Sequence, residues 1–281
     1  MQYLGRNVIE RLARFGYGAR GIVYCIVGGL ALLAALGRGG RADDSESAIR
    51  WVLAGPFGPV LVGLIAVGLF GFALWRFVEG LTDADRRGTS PKGLVVRAAH
   101  IGSAAIYTGL TVTAGGLALG LGQARSGDGM QDWTAWLLAK PFGLWLVALV
   151  GLGVMAGGVA FLVKAATGKV TDRLKLGPEQ CRWAKPVGQF GYAARGIAFL
   201  IIGGFFLAAA WHQASSEVKG LAGAFAALRA QPYGWALLAV VAAGHFAFGA
   251  FGLIQARFRH IDAPDIDETD DAVLKALRPS P

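Results

Sequence analysis

The chain has 281 residues, of which 54% are hydrophobic and only 16% are charged. A soluble domain has roughly 25% charged residues, so this composition excludes an ordinary soluble protein. The apolar residues come in blocks of about twenty, the length that a helix needs to cross the hydrocarbon core of a bilayer. The 43 glycines fit the same class, because small residues let helices pack closely in lipid. The sequence therefore predicts an integral membrane protein.

The formal net charge of +9 does not point to nucleic acid as a partner. The basic residues lie between the apolar blocks, and no nucleic-acid-binding motif accompanies them. The two cysteines, Cys25 and Cys181, fall in an apolar block and in a basic loop, so they predict no disulfide framework, and no zinc-ligand spacing is present. We therefore interpret the basic residues as a signal of membrane topology.

Six apolar segments are predicted to form membrane-spanning helices. In chain order they are residues 15–37, 57–79, 95–121, 142–164, 188–211 and 233–257. The first of them resembles the apolar region of a signal peptide, but a similar segment returns near residue 190, where no signal peptide can lie. All six are therefore predicted to belong to the folded protein.

The second, fourth and sixth segments each begin with a Pro-Phe/Tyr-Gly motif. The prolines are Pro56, Pro141 and Pro232, spaced 85 and 91 residues apart. Proline is tolerated in the first turn of a helix, because its missing N–H has no intrahelical partner there. The motif is therefore predicted to mark the start of these three helices.

An internal repeat relates the first and fifth segments. Residues 15–22, Phe-Gly-Tyr-Gly-Ala-Arg-Gly-Ile, return as residues 190–197, Phe-Gly-Tyr-Ala-Ala-Arg-Gly-Ile, at a shift of 175. A Gly-Gly pair at residues 28–29 returns at the same shift. Together with the spaced proline motif, this pattern predicts three copies of one helical hairpin.

The middle copy is the most divergent. Arg97 aligns with Arg14 at a shift of 83, but the position of Arg20 is then held by Ser103. With this register the chain divides into three hairpin repeats and an acidic tail. The predicted boundaries are residues 12–80, 94–165 and 187–259 for the repeats and 260–281 for the tail.

These motifs carry a resemblance to a known family. The Phe-Gly-Tyr-x-Ala-Arg-Gly segment, the proline motif and the closing run Gln255-Ala-Arg-Phe-Arg259 resemble the bacterial family called domain of unknown function 1206. That family is described as three copies of a transmembrane helix pair, and the resemblance covers residues 12–259. It implies an all-α integral membrane protein with six spans, but no activity and no catalytic residues.

The distribution of lysine and arginine predicts the orientation. Of the 27 Lys and Arg residues, 20 lie in segments on the side of the N-terminus. Basic loops stay in the cytoplasm, so both termini are predicted to be cytoplasmic, in the bacterial cytoplasmic (inner) membrane. Every repeat then crosses in the same sense, which predicts parallel repeats in a pseudo-threefold arrangement about the membrane normal.

Tyr17 and Arg20 in the first repeat occupy the same positions as Tyr192 and Arg195 in the third. An arginine fork matches the geometry of a phosphate, which predicts binding of an anionic lipid headgroup or another anion. The alternative is interfacial anchoring, with the guanidinium reaching the headgroups and the tyrosine in the aromatic belt. The sequence leaves both interpretations open.

Three matched polar residues lie near the ends of the second helices. They are Glu79, Lys164 and Gln255, an acid, a base and an amide, and Arg76 shares a helical face with the first of them. If buried, such a set would line a polar funnel. The simpler interpretation is a charged fringe at the membrane boundary, because charge inside the membrane is costly.

His245 lies about twelve residues into the last apolar segment, near the middle of the membrane. An interhelical hydrogen bond, a proton relay or a ligand role would each suit an imidazole there. Ser103, Tyr107 and Thr111 share one stripe of the third segment and are the first candidate partners for a polar site inside the membrane. No second histidine lies at a matching depth, so no metal site is predicted.

The sequence contains no hydrolase elbow, phosphate loop, zinc-protease helix or dinucleotide fingerprint. We therefore predict no enzyme activity, catalytic residue, metal or cofactor. The first functional hypothesis is a structural/accessory or lipid-binding membrane protein, whose role is to pack, to bind membrane lipids, anionic lipids among them, or to escort a partner complex. A protein partner or a homo-oligomer is left open. The alternative is a channel or transporter with a site on the pseudo-threefold axis. A membrane enzyme or haem protein using His245 is a third hypothesis.

Overall fold

The computed structural model of the chain is helical. It describes residues 2–40, 44–82, 88, 90–121 and 129–261, with residues 2–9 and Lys92 described by their backbone alone. The predicted acidic tail therefore lies, from residue 262 onward, outside the described residues. The helices are α1 (Gln2–Ala35), α2 (Ser45–Leu53), α3 (Gly58–Thr82), α4 (Pro91–Ala118), α5 (Gly129–Leu138), α6 (Gly143–Ala166), α7 (Pro178–His212), α8 (Leu221–Arg229) and α9 (Gly234–Phe258).

Six of these helices are long and apolar enough to cross a membrane: α1, α3, α4, α6, α7 and α9. Each contains one of the six predicted segments almost entirely, and α1 and α7 begin well before the predicted start. Elsewhere in the described ranges, the only β-type pairing is an isolated bridge between Leu174 and Arg259. The all-α, six-span architecture of a multi-pass membrane protein is thereby confirmed.

A short helix precedes the second long helix in every repeat, and the sequence analysis did not predict it. These helices are α2, α5 and α8. In each of them, the side chain seven residues before the proline of the motif is completely buried: Ile49, Thr134 and Phe225, all 0% exposed. The repeating unit is therefore a long helix, a short helix and a second long helix.

The Pro-Phe/Tyr-Gly motif forms the turn between the short and the second long helix, which corrects its interpretation as a first helical turn. The φ angles of Phe57, Phe142 and Tyr233 are 58°, 62° and 58°, and each long helix begins at the glycine that follows. A Cβ on Gly58 would collide with the carbonyl oxygen of Leu53. Glycine is needed there because it has no side chain to accommodate.

The long helices form a curved row in the order α4, α3, α1, α9, α7, α6, and every neighbouring pair in this order packs together. Tyr107 of α4 donates a hydrogen bond to Tyr24 of α1 at 3.4 Å, and the guanidinium carbon of Arg195 of α7 lies 4.6 Å from the same ring. In the row, α3 lies between α4 and α1, and α9 lies between α1 and α7. Because side chains of both α4 and α7 nevertheless reach Tyr24, the row bends around this residue. This is the pseudo-threefold arrangement of the three repeats, with one side open.

The three contacts between repeats have a hydrogen bond in common. In each, a long polar side chain of one repeat donates to a carbonyl in the last turn of the second long helix of another, where carbonyls lack helical partners. The bonds are Arg14 Nη1 to Ala256 O (3.2 Å), Arg97 Nε to Gly80 O (2.9 Å) and Gln189 Nε2 to Ala165 O (2.7 Å). Donors and acceptors both follow the repeat, so the predicted register of the middle copy is confirmed.

Within the first and third repeats, an aromatic pair joins the two long helices. The rings of Tyr17 and Phe72 lie edge to face with centroids 5.1 Å apart, and those of Tyr192 and Phe248 repeat this at 5.4 Å. Gly16 permits the contact, since a Cβ there would lie 2.5 Å from the backbone nitrogen of Phe72. Such pairs contribute about 0.5–1.5 kcal/mol beyond their burial.

The second repeat has no such pair. His100 and Gly157 stand at its tyrosine and phenylalanine positions. Although both α4 and α6 are described over their full length, they do not pack against each other as the long helices of the other two repeats do. We call the resulting gap between α4 and α6 the lateral cleft.

Candidate functional site

Five cationic side chains lie buried or half-buried among the long helices. They come from α1, α3, α6, α7 and the residue that follows α9, and we call them the cation cluster: Arg20, Arg76, Lys164, Arg195 and Arg259. In the described part of the chain, Glu79 is the only carboxylate that pairs with any of them. The cluster therefore carries a large excess of positive charge.

Glu79 is completely buried and binds two arginines. Its Oε2 accepts from Arg76 Nη1 at 2.8 Å, and its Oε1 accepts from Arg259 Nη2 at 2.8 Å. Nδ1 of His100, on α4, lies 3.8 Å from the same carboxylate. The charges at this end of α3 are therefore not an exposed fringe, because the ion pairs lie between packed helices. Arg259 was missed as a site residue, although it closes the run that carries the family resemblance.

Arg20 lies inside the helix bundle. It is only 6% exposed, and its Nη2 donates to Oε1 of Gln255 at 2.9 Å. Its guanidinium carbon lies over three rings, those of Phe72 at 4.7 Å, Phe248 at 5.0 Å and Tyr17 at 5.3 Å. Interfacial anchoring does not describe this residue, since both its charge and the Tyr17 ring are enclosed by packed helices.

Arg195, at the same position of the third repeat, is half-buried and surrounded by rings. Its guanidinium carbon lies near four of them: Tyr24 at 4.6 Å, Phe199 at 4.8 Å, Phe248 at 4.8 Å and Phe161 at 5.8 Å. A cation over an aromatic face gains about 0.5–2 kcal/mol, but the ring does not neutralise its charge. Phe248 also contacts Arg20, so the structure brings the two predicted arginines to one aromatic residue.

Lys164 lies at the interface of α6 and α7. It holds the same position of the repeat as Glu79, which lies at the interface of α3 and α4. Its Nζ lies 3.5 Å from the hydroxyl of Tyr192 and 4.6 Å from the centroid of that ring. No carboxylate among the described residues pairs with Lys164 or with Arg195. Two adjacent helices, α6 and α7, thus each contribute a cation that has no carboxylate partner among the described residues.

Several buried donors near the cluster have no acceptor among the described residues. They are the Tyr17 hydroxyl, Nε of Arg20, Arg76 and Arg259, and Nε1 of Trp75. A buried polar group without a partner costs about 1–3 kcal/mol. Each of these atoms carries a hydrogen that it can donate, so the interior is suited to a group rich in acceptors.

His245 is completely buried, but its hydrogen bond is within its own helix. Nδ1 lies 2.9 Å from the carbonyl oxygen of Val241, and the ring meets Phe225 edge to face at 5.2 Å. The expected hydrogen bond to a neighbouring helix is therefore not formed. Phe225 belongs to α8, a helix that was not predicted from the sequence, and its ring packs against the imidazole.

The hydroxyl stripe of α4 does not meet His245 directly. Thr111 donates to the carbonyl of Tyr107 in its own helix, and the Tyr107 hydroxyl donates to Tyr24. Ser103 is half-buried at the position that corresponds to Arg20. Across the described ranges, no three His, Cys, Asp or Glu side chains are grouped as a metal site would require.

The comparisons with known proteins agree with this repeat architecture. The family Domain of Unknown Function (DUF1206) matches residues 15–83, 98–168 and 190–259, one match for each repeat. The chain is similar to the Uncharacterized protein YxxB of Bacillus subtilis (strain 168), with 34% identity over 256 residues, which cover 90% of this chain and 92% of the relative. No solved structure matches it. The chain therefore belongs to the DUF1206 family.

Proposed function

We propose that this protein binds a phosphate-bearing anion, the headgroup of an anionic membrane lipid, on the concave side of its helices. The observation that carries the proposal is the cation cluster, in which Glu79 is the one described carboxylate that pairs with any of the five cations. Charge inside a membrane protein is expensive unless it is paired. An anionic ligand would supply the counter-charge that the described side chains do not.

Arg195 and Lys164 are the groups best placed to hold the anion. Both are half-buried, and neither pairs with a carboxylate of the described chain. A guanidinium fork binds a phosphate in bidentate fashion, and an ammonium adds a point charge. Tyr192 contacts the ammonium, whereas Arg20 lies in packed surroundings beside Tyr17 and contributes its charge to the positive field.

The depth of the site supports a lipid headgroup. Lys164 lies two residues before the end of α6, close to the membrane boundary. Arg195 contacts Phe161, which is one turn further into the same helix. An anion between the two cations would therefore lie just inside the boundary, at a depth that a headgroup reaches.

Native mass spectrometry of the purified protein tests the proposal with phosphatidylglycerol as the probe. We expect the Lys164→Ala, Arg195→Ala double variant to retain at least tenfold less phosphatidylglycerol than the unchanged protein. Arg11→Ala is the matched control, because Arg11 is an exposed arginine on α1 outside the cation cluster. Equal retention by both variants would refute the anion site.

The proposal includes a location in the bacterial cytoplasmic (inner) membrane with both termini in the cytoplasm. It is supported by the 20 of 27 basic residues on the side of the N-terminus. Reporter fusions at Ser45, Gly127 and Ser216 should behave as periplasmic, and fusions at Gly88, Gly177 and the C-terminus as cytoplasmic. A cytoplasmic signal from the Gly127 fusion would contradict this topology.

A channel or transporter is the second candidate, because the half-buried Arg195 lies on the concave side, where a pseudo-threefold axis would run. Liposomes that contain the purified protein separate the two functions. A transporter should show anion flux that Arg195→Ala abolishes, whereas a lipid-binding protein should show no flux above protein-free liposomes.

A further inference from the structure

The lateral cleft is built into the sequence of α6. Two large aromatic residues that are buried in the first and third repeats have small counterparts in the second. Where the first repeat has Phe72 and Trp75, and the third has Phe248 and Phe251, α6 has Gly157 and Ala160. The replacement removes the side chains that join the two long helices of the other repeats, so the second hairpin opens.

A gap of this kind does not stay empty within a bilayer. The walls of a void lose dispersion contacts, and hydrocarbon chains are available on the open side to restore them. The occupant of the cleft must therefore be largely apolar. An acyl chain and a membrane-spanning helix of another protein copy are the two groups that a membrane offers.

One face of α6 forms an apolar track through the cleft. Gly153, Gly157, Ala160 and Lys164 follow one another at spacings of three or four residues, so they share this face. A Cβ added to Gly153 would meet no described atom within 4 Å, and one added to Gly157 would meet only the Phe199 ring, at 3.6 Å. Ala160 is exposed. The track therefore has room for a chain, and it ends at an ammonium group.

The inner wall of the cleft contains the second cation. The Tyr107 hydroxyl, on α4, lies 3.4 Å from that of Tyr24, whose ring lies 4.6 Å from the guanidinium carbon of Arg195. That carbon lies 5.8 Å from the ring of Phe161 on α6. These contacts run from one side of the cleft to the other, so Arg195 lies between its two bounding helices.

We propose that a two-chain anionic phospholipid occupies the lateral cleft, with an acyl chain along the α6 track and its phosphate between Lys164 and Arg195. This inference rests on the proposed anion site and adds the place of the acyl chain, which is the lateral cleft. A helix of a second copy would fill the same gap but would leave both cations without a counter-charge. The uncompensated charge at the end of the track therefore favours the lipid.

Filling the cleft tests this inference without altering either cation. Ala160→Phe adds a ring to the track, and Gly157→Phe restores the ring that the first and third repeats carry. Val159→Phe is the matched control, because Val159 is 51% exposed at the same depth and lies about 100° around the helix from Ala160. Native mass spectrometry measures how much 1-palmitoyl-2-oleoyl-phosphatidylglycerol each purified variant retains. The phosphatidylethanolamine with the same acyl chains serves as the comparison.

We expect both cleft variants to lower phosphatidylglycerol retention at least fivefold, and Val159→Phe to leave it unchanged. Full retention in both cleft variants, with loss in Lys164→Ala, Arg195→Ala, would overturn the cleft and leave the anion site intact. Retention in all of these variants would overturn both proposals. A dimer that Ala160→Phe converts to a monomer, with retention unchanged, would assign the cleft to a second copy.

Discussion

Glu79 and Lys164 hold the same position in two repeats but have opposite charges and different surroundings. At the interface of α3 and α4, the carboxylate binds two arginines at 2.8 Å and is completely buried. At the interface of α6 and α7, the ammonium lies over a tyrosine ring and has no described carboxylate partner. One scaffold position thus supports a closed ion-pair network in one repeat and an uncompensated cation in another.

The third version of this position is neutral. Gln255 accepts a hydrogen bond from Arg20 at 2.9 Å, and both residues are nearly completely buried. The comparison teaches that the repeat conserves the place of a polar group between helices but not its charge. Where the charge is matched within the chain, the group stabilises packing. Where it is not, as at Lys164, the anion proposed above would supply the counter-charge.

The largest effect is expected from removing the matched charge. Glu79→Gln would leave Arg76 and Arg259 buried without a carboxylate, and breaking a buried pair in this way costs about 3–5 kcal/mol. Unfolding in detergent, followed by circular dichroism, should show this loss. Glu10→Gln is the control, because the Glu10 pair with Arg14 is partly exposed and contributes about 0–1 kcal/mol. Equal stability of the two variants would refute the structural role of the network.

The next largest effect is expected from disturbing the contact between the two long helices of the third repeat, a contact that the second repeat lacks. A Cβ on Gly191 would lie 2.6 Å from the backbone of Phe248, so Gly191→Ala should destabilise the protein by about 1–3 kcal/mol. A Cβ on Gly109 of α4 would meet no described atom within 4 Å. Gly109→Ala should therefore be neutral or slightly stabilising in the same unfolding measurement. A cost at Gly109 similar to that at Gly191 would mean that α4 is packed on both sides.

Reversing the unmatched charge should convert one interface into the other. Lys164→Glu would place a carboxylate at the position that Glu79 holds in the first repeat. We expect phosphatidylglycerol retention to fall at least tenfold, which corresponds to about 1.4 kcal/mol, with no loss of thermal stability. Lys164→Arg keeps the charge and should keep the lipid. A Lys164→Glu protein that binds as much lipid as Lys164→Arg would contradict the assigned anion site.

The smallest effect is expected at His245. The first repeat has Leu69 at its position, and the imidazole bonds only to its own helix. His245→Leu should therefore change the free energy of unfolding by less than about 1 kcal/mol, since no interhelical hydrogen bond is lost. Thermal unfolding and the visible spectrum are the measurements. A Soret band in the purified protein that this variant removes would establish the haem hypothesis instead.

The sequence alone determined the six spans, the three repeats and the register of the divergent middle copy. The length and composition of an apolar segment predict whether it lies in lipid or in water, because the free-energy cost of placing it in water depends on both. Arg14 and Arg97 were aligned from the sequence, and the structure gives them the same contact with a helix end. Repetition was the signal that made this alignment visible.

Only the tertiary structure decided which polar groups are buried and which helices fail to meet. Hydropathy places Glu79 near a helix end, but whether that end faces water or two arginines depends on residues up to 180 positions away. The short helices were missed because nine or ten residues are too few to show a clear helical period of apolar residues. The turn that follows each of them was interpreted as the start of the next helix. The lateral cleft follows from two small residues in α6, whose effect depends on the aromatic partners that the other repeats supply.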